Sequence, residues 1–320
     1  MRAAIATNPA WLSPRPPYTP FAATVPDARV VSPLFTVFTR DGAAIKESLY
    51  LTSVEKAVSH LNRGRERVPE TATVYLIANK NYGHYYHWTT QCLAALALIT
   101  TGVLRAEGRL LTGPLADWQQ RLLELVGFDK SRLEILESGS VATFERLVFP
   151  SLLTRRDPIV WPGMIPLYAA IKAAADRRHE FGERLYISRE DARDRPLQNE
   201  EELAARLAEF GFRTITSGRL SVDEQISAFA GAKIIVAPHG AGLANVVYCE
   251  PGTILYELHP SHYVKSCYYW LSQLFRLRYW ADCFPALDAG QATKEARHKV
   301  HWMVDIPVVL NRVEMILSRG

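Results

Sequence analysis

The sequence predicts an α/β protein with doubly wound, helix-covered sheets. From Thr71 onward, short β-branched or aliphatic runs alternate with longer amphipathic ones, the pattern of strands joined by crossover helices. Two of the longer runs open on capping-box spacings, Asn199 with Glu202 and Ser221 with Glu224, which satisfy orphan amides at a helix start. The length of 320 residues suits two domains at roughly 100–200 residues each.

In chain order, the prolines from Pro9 to Pro20 read as an extended arm, and the residues before Thr71 as a mixed extension. Strands are expected at Val74–Ile77, Leu110–Thr112, Leu133–Leu136 and Leu147–Phe149, with helices at Tyr86–Leu104 and Ala116–Val126. Between Pro150 and Pro166, four prolines, the Arg155-Arg156 pair and Gly163 break the periodicity, which sets a boundary between domains 1–160 and 161–320. A helix follows at Ile165–Arg178. Strands Leu185–Ser188, Arg213–Thr216, Lys233–Ala237 and Thr253–Leu258 then alternate with helices begun by Asn199, Ser221 and Gly240, the last running to Val247.

Composition narrows the class. With 48% hydrophobic and 22% charged residues, 7 Trp, 12 Phe and 14 Tyr, the chain has ample core material and is not a disordered or low-complexity protein. Its formal charge of +4 is spread along the chain with alternating sign, which does not argue for nucleic acid but suits a small anionic ligand. The cysteines, Cys92, Cys249, Cys267 and Cys283, form no C-x-x-C pair and read as thiols in a reducing compartment. No secretory signal is visible, and the apolar run Cys92–Leu104 falls short of the roughly 20 residues of a membrane span. A cytoplasmic protein is expected, compatible with peripheral contact at the inner face of a membrane.

In doubly wound sheets, ligands bind beyond the carboxyl ends of the strands. Those positions carry Ser188-Arg189, then Ser217-Gly218-Arg219, then His239-Gly240-Ala241-Gly242, and finally Glu257. Gly240 and Gly242 admit a close ligand, and the helix start behind them directs amides at it. Arg189 adds a charged fork for phosphate oxygens, His239 a hydrogen-bond donor, and Glu257 an acceptor for a ribose hydroxyl. Together they describe a nucleoside diphosphate site. Taken singly, the glycines also fit a plain tight turn, the arginine a solvated surface residue and Glu257 a local cap or ion pair; their shared rim favours the ligand.

Three other chemistries lack a part. Gly240-Ala241-Gly242-Leu243-Ala244-Asn245 approximates a dinucleotide fingerprint, but Asn245 replaces its third glycine. The esterase-like His-Gly-Ala-Gly has no G-x-S-x-G nucleophile to serve, and no Walker motif occurs. A second constellation, Asn81-Tyr82-Gly83-His84-Tyr85-Tyr86-His87-Trp88, follows the first strand of the amino-terminal half. Its histidines suit a general base and its aromatics either a stacking platform or core. As metal ligands His84 and His87 lack a third partner at a recognisable spacing, and no D-x-D is present to hold a divalent ion on a diphosphate.

The blocks Arg184–Arg189, Asn199–Leu203, Ser221–Gln225 with Phe229–Ala232, and Ala237–Asn245 resemble, in order and spacing, the signature of glycosyltransferase family 61. The His84–Trp88 region is similar to that family's amino-terminal block. The resemblance implies a GT-B-type fold, two Rossmann-like domains facing a cleft, with an inverting mechanism. It assigns donor binding to Arg189, to the loop His239, Gly240, Ala241 and Gly242, and to Glu257 in the carboxyl-terminal half, and Ser217, Arg219 and Asn245 are expected to join them at the same rim. It assigns the acceptor side to Asn81, Tyr85, Trp88 and Gln91 in the amino-terminal half. Aligned on His87-Trp88, Gln91 stands where the family pattern carries an acid, so the base is His87, favoured by that register, or His84, or a carboxylate elsewhere, or activity is altered. These implications describe a transferase that moves a sugar, uridine-linked by family frequency, to a glycan or glycolipid acceptor in capsular or exopolysaccharide synthesis, with no metal or other cofactor. A catalytically silent nucleotide-sugar or polysaccharide-binding module is the alternative that Gln91 keeps open, and a structural assembly factor is a third.

Overall fold

The computed structural model describes residues 19–69, 73–100, 108–151, 161–192, 194–287 and 299–318. Residues 9–18 of the expected arm, 101–104 of the expected helix and the Arg155-Arg156 pair lie outside them. Contacts divide the chain into two units, one spanning Pro17–Ala174 and one beginning at Ala175. The division falls one helix later than the proline-rich run suggested.

The first unit is built on a mixed seven-stranded sheet. Strands β1 (Ala22–Val31) and β2 (Thr36–Phe38) lead into helix α1 (Val54–Arg63), whose Ser53 side chain caps it through the Lys56 N–H. Strands β3 (Arg65–Arg67) and β4 (Thr73–Leu76) follow. A short helix α2 (Tyr85–His87), a π-helical turn at Trp88–Cys92 and helix α3 (Leu93–Thr100) occupy the region expected as one regular helix. Strand β5 (Arg109–Thr112), helix α4 (Asp117–Leu125), and strands β6 (Leu133–Ile135) and β7 (Ser140–Pro150) complete the sheet, and helix α5 (Ile165–Ala174) closes the unit.

The sheet order is β2-β1-β7-β4-β5-β6, with β3 also paired to β7. Strands β7, β4, β5 and β6 run parallel, as the alternation predicted. The mixed extension is a correction: β1 pairs antiparallel with β7 along its length, from Ala22 opposite Pro150 to Val31 opposite Val141. Strand β7 is accordingly far longer than the expected Leu147–Phe149, because β1 supplies a partner for residues whose own sequence alternates weakly.

The second unit carries a five-stranded, all-parallel sheet. In chain order it comprises β8 (Arg184–Ile187), α6 (Glu200–Glu209), β9 (Arg213–Ile215), α7 (Val222–Gly231), β10 (Ile234–Pro238) and a 3₁₀ segment at Ala241–Tyr248. Strand β11 (Ile254–Pro260), α8 (Cys267–Leu274), β12 (Arg278–Phe284) and α9 (Ile306–Leu317) follow. The order β12-β11-β10-β8-β9 reverses between β8 and β10, which makes the space beyond their carboxyl ends the topological switch point. On one face Tyr186, Val236, Tyr256 and Leu258 pack with Leu203, Leu207, Val309 and Val313. Strand alternation then turns Glu257 and His259 to the opposite face.

Of the two expected capping boxes, that at Ser221 forms, its hydroxyl accepting from Glu224 N–H while the Glu224 carboxylate accepts from Ser221 N–H. Asn199 does not cap α6. Its amide instead donates to Val304 O and accepts from Val304 N–H, tying the start of α6 to the chain before α9. No described helix is long and apolar enough to cross a membrane.

Candidate functional site

In the second unit all five strands point one way, so the expected loops share one rim. After β8, the first helical residue Glu200 accepts from Arg189 N–H at 2.7 Å and from Tyr186 Oη at 3.0 Å, which pins the loop and aims the arginine. The Arg189 guanidinium makes one hydrogen bond, to Asp194 O at 2.8 Å, and no ion pair among the described residues. It lies directly over Gly240: a Cβ there would stand 2.0 Å from Nη1. Gly240 has extended backbone (φ −168°), so the glycine is required by the arginine's closeness, not by its conformation. Burial lowers the guanidinium's pKa, and the neighbouring Arg195 lowers it further. A half-buried guanidinium so placed has the chemistry to meet an anion.

Ser217 brings the second loop to the same place. Its hydroxyl would lie 3.0 Å from a Cβ on Gly242, and it is buried without a hydrogen-bond partner among the described residues. Arg219 instead pairs with Glu190 at 2.9 Å on the exposed side. The segment after Gly240, with Ala241 at its head, is 3₁₀ rather than α-helical. Asn245, expected at the ligand, is fully buried and donates to Gln225 Oε1 and Gly242 O, holding the turn from within.

Glu257 is the clearest correction. The carboxylate is fully buried and cannot meet a ribose. Its Oε1 accepts from His239 Nδ1 at 2.5 Å, and its Oε2 from Tyr279 Oη at 2.6 Å, with His259 Nε2 3.3 Å away. Burial alone would raise its pKa, but the neighbouring His259 and the His239 hydrogen bond hold it down to about 2. Burial also pushes His239 down to about 4, against the pull of Glu257. Neutral His239 therefore donates a hydrogen bond from Nδ1–H to Glu257 and presents Nε2 as an acceptor, the reverse of the expected donor. His239, Glu257 and His259 hold candidate metal-ligating atoms within 4.8 Å of one another. Both carboxylate oxygens already serve hydrogen bonds, so the trio reads as a network that orients His239.

Tyr263, Arg195 and Lys265 extend the rim and were not found from sequence. Tyr263 lies 5.7 Å from the His239 ring, with the Arg195 and Lys265 charges 4.3 and 4.7 Å from its own ring centre. For Tyr263 and Lys265 the signal was the density of aromatic residues at 263–270, and Arg195 carried none. Tyr268 Oη donates to Gly240 O at 2.6 Å and fixes the loop.

In the first unit, the expected acceptor-side residues cluster at the start of α2. His84 is exposed, with its ring 5.2 Å from that of His87. Asn81 N–H donates to Asn79 Oδ1, and Tyr85 packs on Trp118 at 5.1 Å. Trp88 is wholly buried and belongs to the core rather than to a platform. Gln91, also buried, takes His87 Nδ1 at 3.1 Å on Oε1, and Tyr50 Oη lies 3.2 Å from the same Nδ1. Burial lowers His87 to about 4, partly opposed by Gln91 and reinforced by His84.

A parallel sheet with Arg189 at its switch point defines an α/β protein. Within that class, a family model described as Glycosyltransferase 61 matches residues 85–256, over half of the chain, and the chain belongs to that family. Its activity class is thus glycosyl transfer from a donor to an acceptor. No curated protein matches the chain.

Proposed function

We propose that the chain is an inverting, metal-independent glycosyltransferase of GT-B type that takes its sugar from a nucleotide diphosphate donor, uridine-linked, for capsular or exopolysaccharide synthesis in the cytoplasm. The observation that carries this is Arg189: a half-buried guanidinium, without an ion pair among the described residues, seated on Gly240 beside the orphan Ser217 hydroxyl. Facing a diphosphate, it neutralises charge that grows as the sugar–phosphate bond breaks. His239 accepts from a hydroxyl of the donor. On the acceptor side, His87 removes the proton of the attacking hydroxyl, whose oxygen forms the new bond at the anomeric carbon as the nucleotide departs.

Arg189→Ala should lower turnover about 10²–10³-fold, the loss typical of one charge-stabilising donor; unchanged turnover overturns the role. A thermal-shift screen should show stabilisation by one nucleotide class. Transfer should survive EDTA, and a loss restored by a divalent ion contradicts metal independence. Gln91 favours a second reading, a catalytically silent binding module, for which tight donor binding without transfer or donor hydrolysis is the signature.

A further inference from the structure

The hydrogen bonds around His87 have a polarity that can be followed from one end. A backbone N–H can only donate, so Asn81 N–H, 2.9 Å from Asn79, identifies the oxygen of that side chain as the atom it meets. The Asn79 nitrogen must then be the group that reaches Gln91, 3.0 Å away, and it too can only donate. Gln91 therefore turns Oε1 toward Asn79 and His87, while its Nε2 donates to Tyr50 Oη at 3.3 Å. Oε1 can only accept, so its hydrogen bond with His87 Nδ1 at 3.1 Å places the proton on that nitrogen, with Tyr50 Oη, 3.2 Å from the same atom, as a second acceptor. The residues sit on separate pieces of one unit: Tyr50 before α1, Asn79 after β4, and Gln91 within the π-helical turn, a local widening common at functional sites.

We propose that Gln91 is a positioning residue: through Asn79 and the Asn81 backbone amide it fixes His87 in the Nδ1–H tautomer, leaving Nε2 as the proton acceptor, with an amide rather than a carboxylate at its Nδ1. This rests on the proposed role of His87 as base, and adds what sets its strength. The resolved titratable neighbours of His87 are the His84, Tyr50 and Tyr86 rings, at 5.2, 5.8 and 5.2 Å. Among the described residues no carboxylate acts on His87 to balance an imidazolium. Burial holds His87 unprotonated well below neutrality, and the hydrogen bond to a neutral amide opposes it only in part, so the proton affinity of the ring stays modest. The substrate such a base fits is a hydroxyl whose proton leaves late, as the bond to the anomeric carbon forms.

The test is nitrogen-15 NMR of the full chain labelled at histidine, with the His87 signal assigned by its loss in His87→Asn. The wild type should show protonated Nδ1 and bare Nε2 at pH 7. Gln91→Glu is nearly isosteric and can accept from the Asn79 amide and from Tyr50. It should keep the tautomer and raise the His87 titration midpoint by about 1–3 pH units, the effect of an adjacent opposite charge. The acidic limb of any transfer activity should move by the same amount. Gln91→Leu should shift the His87 signals toward the Nε2–H form; its thermal unfolding, compared with that of Gln91→Glu, separates this from misfolding. A wild-type Nε2–H signal, or a midpoint unmoved by Gln91→Glu, overturns the proposal. A correct tautomer in a chain that transfers no sugar upholds the positioning and removes the catalytic role of His87 instead.

Discussion

Replacing Glu257 with glutamine should cost about 3 kcal/mol of folding stability at pH 7. The carboxyl titrates near 2 when folded and near 4.5 as the free side chain, and each unit of that difference is worth about 1.4 kcal/mol. A count of bonds gives a similar figure. The ionised group accepts from His239 and Tyr279, contacts worth about 1.5–3 kcal/mol each when one partner is charged, and an amide can accept only one of them well. Urea unfolding followed by tryptophan fluorescence, read on the transition of the carboxyl-terminal unit, measures the difference. Because the folded pKa is depressed, the stabilisation is complete above pH 4.5 and fades as pH falls toward 2, so variant and wild type should converge there. A difference below about 0.5 kcal/mol at pH 7, or one that does not shrink in acid, would refute the reasoning that the buried network holds an ionised Glu257.

Gly240→Ala should weaken nucleotide binding about tenfold while hardly changing unfolding, since the new methyl displaces the Arg189 guanidinium rather than a core atom; titration calorimetry against the wild type decides it. Gly64→Ala should behave in the opposite way. Its Cβ would stand 2.2 Å from Val141 Cγ2 and 2.9 Å from His60 O, a clash of about 1–3 kcal/mol in thermal unfolding with nucleotide binding intact. Ser221→Ala should cost about 1 kcal/mol by loss of the formed cap, whereas Asn199→Ala should act through the detachment of Val304 from α6 and cost more than a cap in urea unfolding. His239 is neutral when folded and titrates near 4 against 6.5 unfolded, so its share of stability is lost as pH drops from 6.5 to 4; His239→Asn should flatten that slope.

The carboxyl-terminal sheet was legible because each strand there is a short apolar run followed by a local signal, such as Ser221 with Glu224 or Pro238-His239-Gly240. Those signals act within a few residues, and the sequence displays them directly. Strand β1 was not legible: Pro26 and Asp27 interrupt its alternation, and its partner β7 lies more than a hundred residues away. The candidate site divides along the same line. Arg189 and Gly240 were found from their strand-end positions, but which face of β11 carries Glu257 depends on packing, and so its ribose contact was misjudged. The Gln91 network was beyond reach, because Tyr50, Asn79 and Gln91 meet only after the sheet has formed.

The pairing of β1 with β7 also sets an order of events during synthesis. In the carboxyl-terminal sheet each new strand pairs with one already made, so each can dock soon after it emerges. The amino-terminal sheet cannot close until Pro150 has left the ribosome, because the first strand needs the seventh, and contacts this distant form slowly. Until then β1, paired only with β2, keeps its other edge exposed to other chains. A fragment ending before β7 would keep that edge permanently, and removal of the first thirty residues would strip β7 of its antiparallel neighbour, so truncation at either place should yield an aggregating product rather than a smaller folded one.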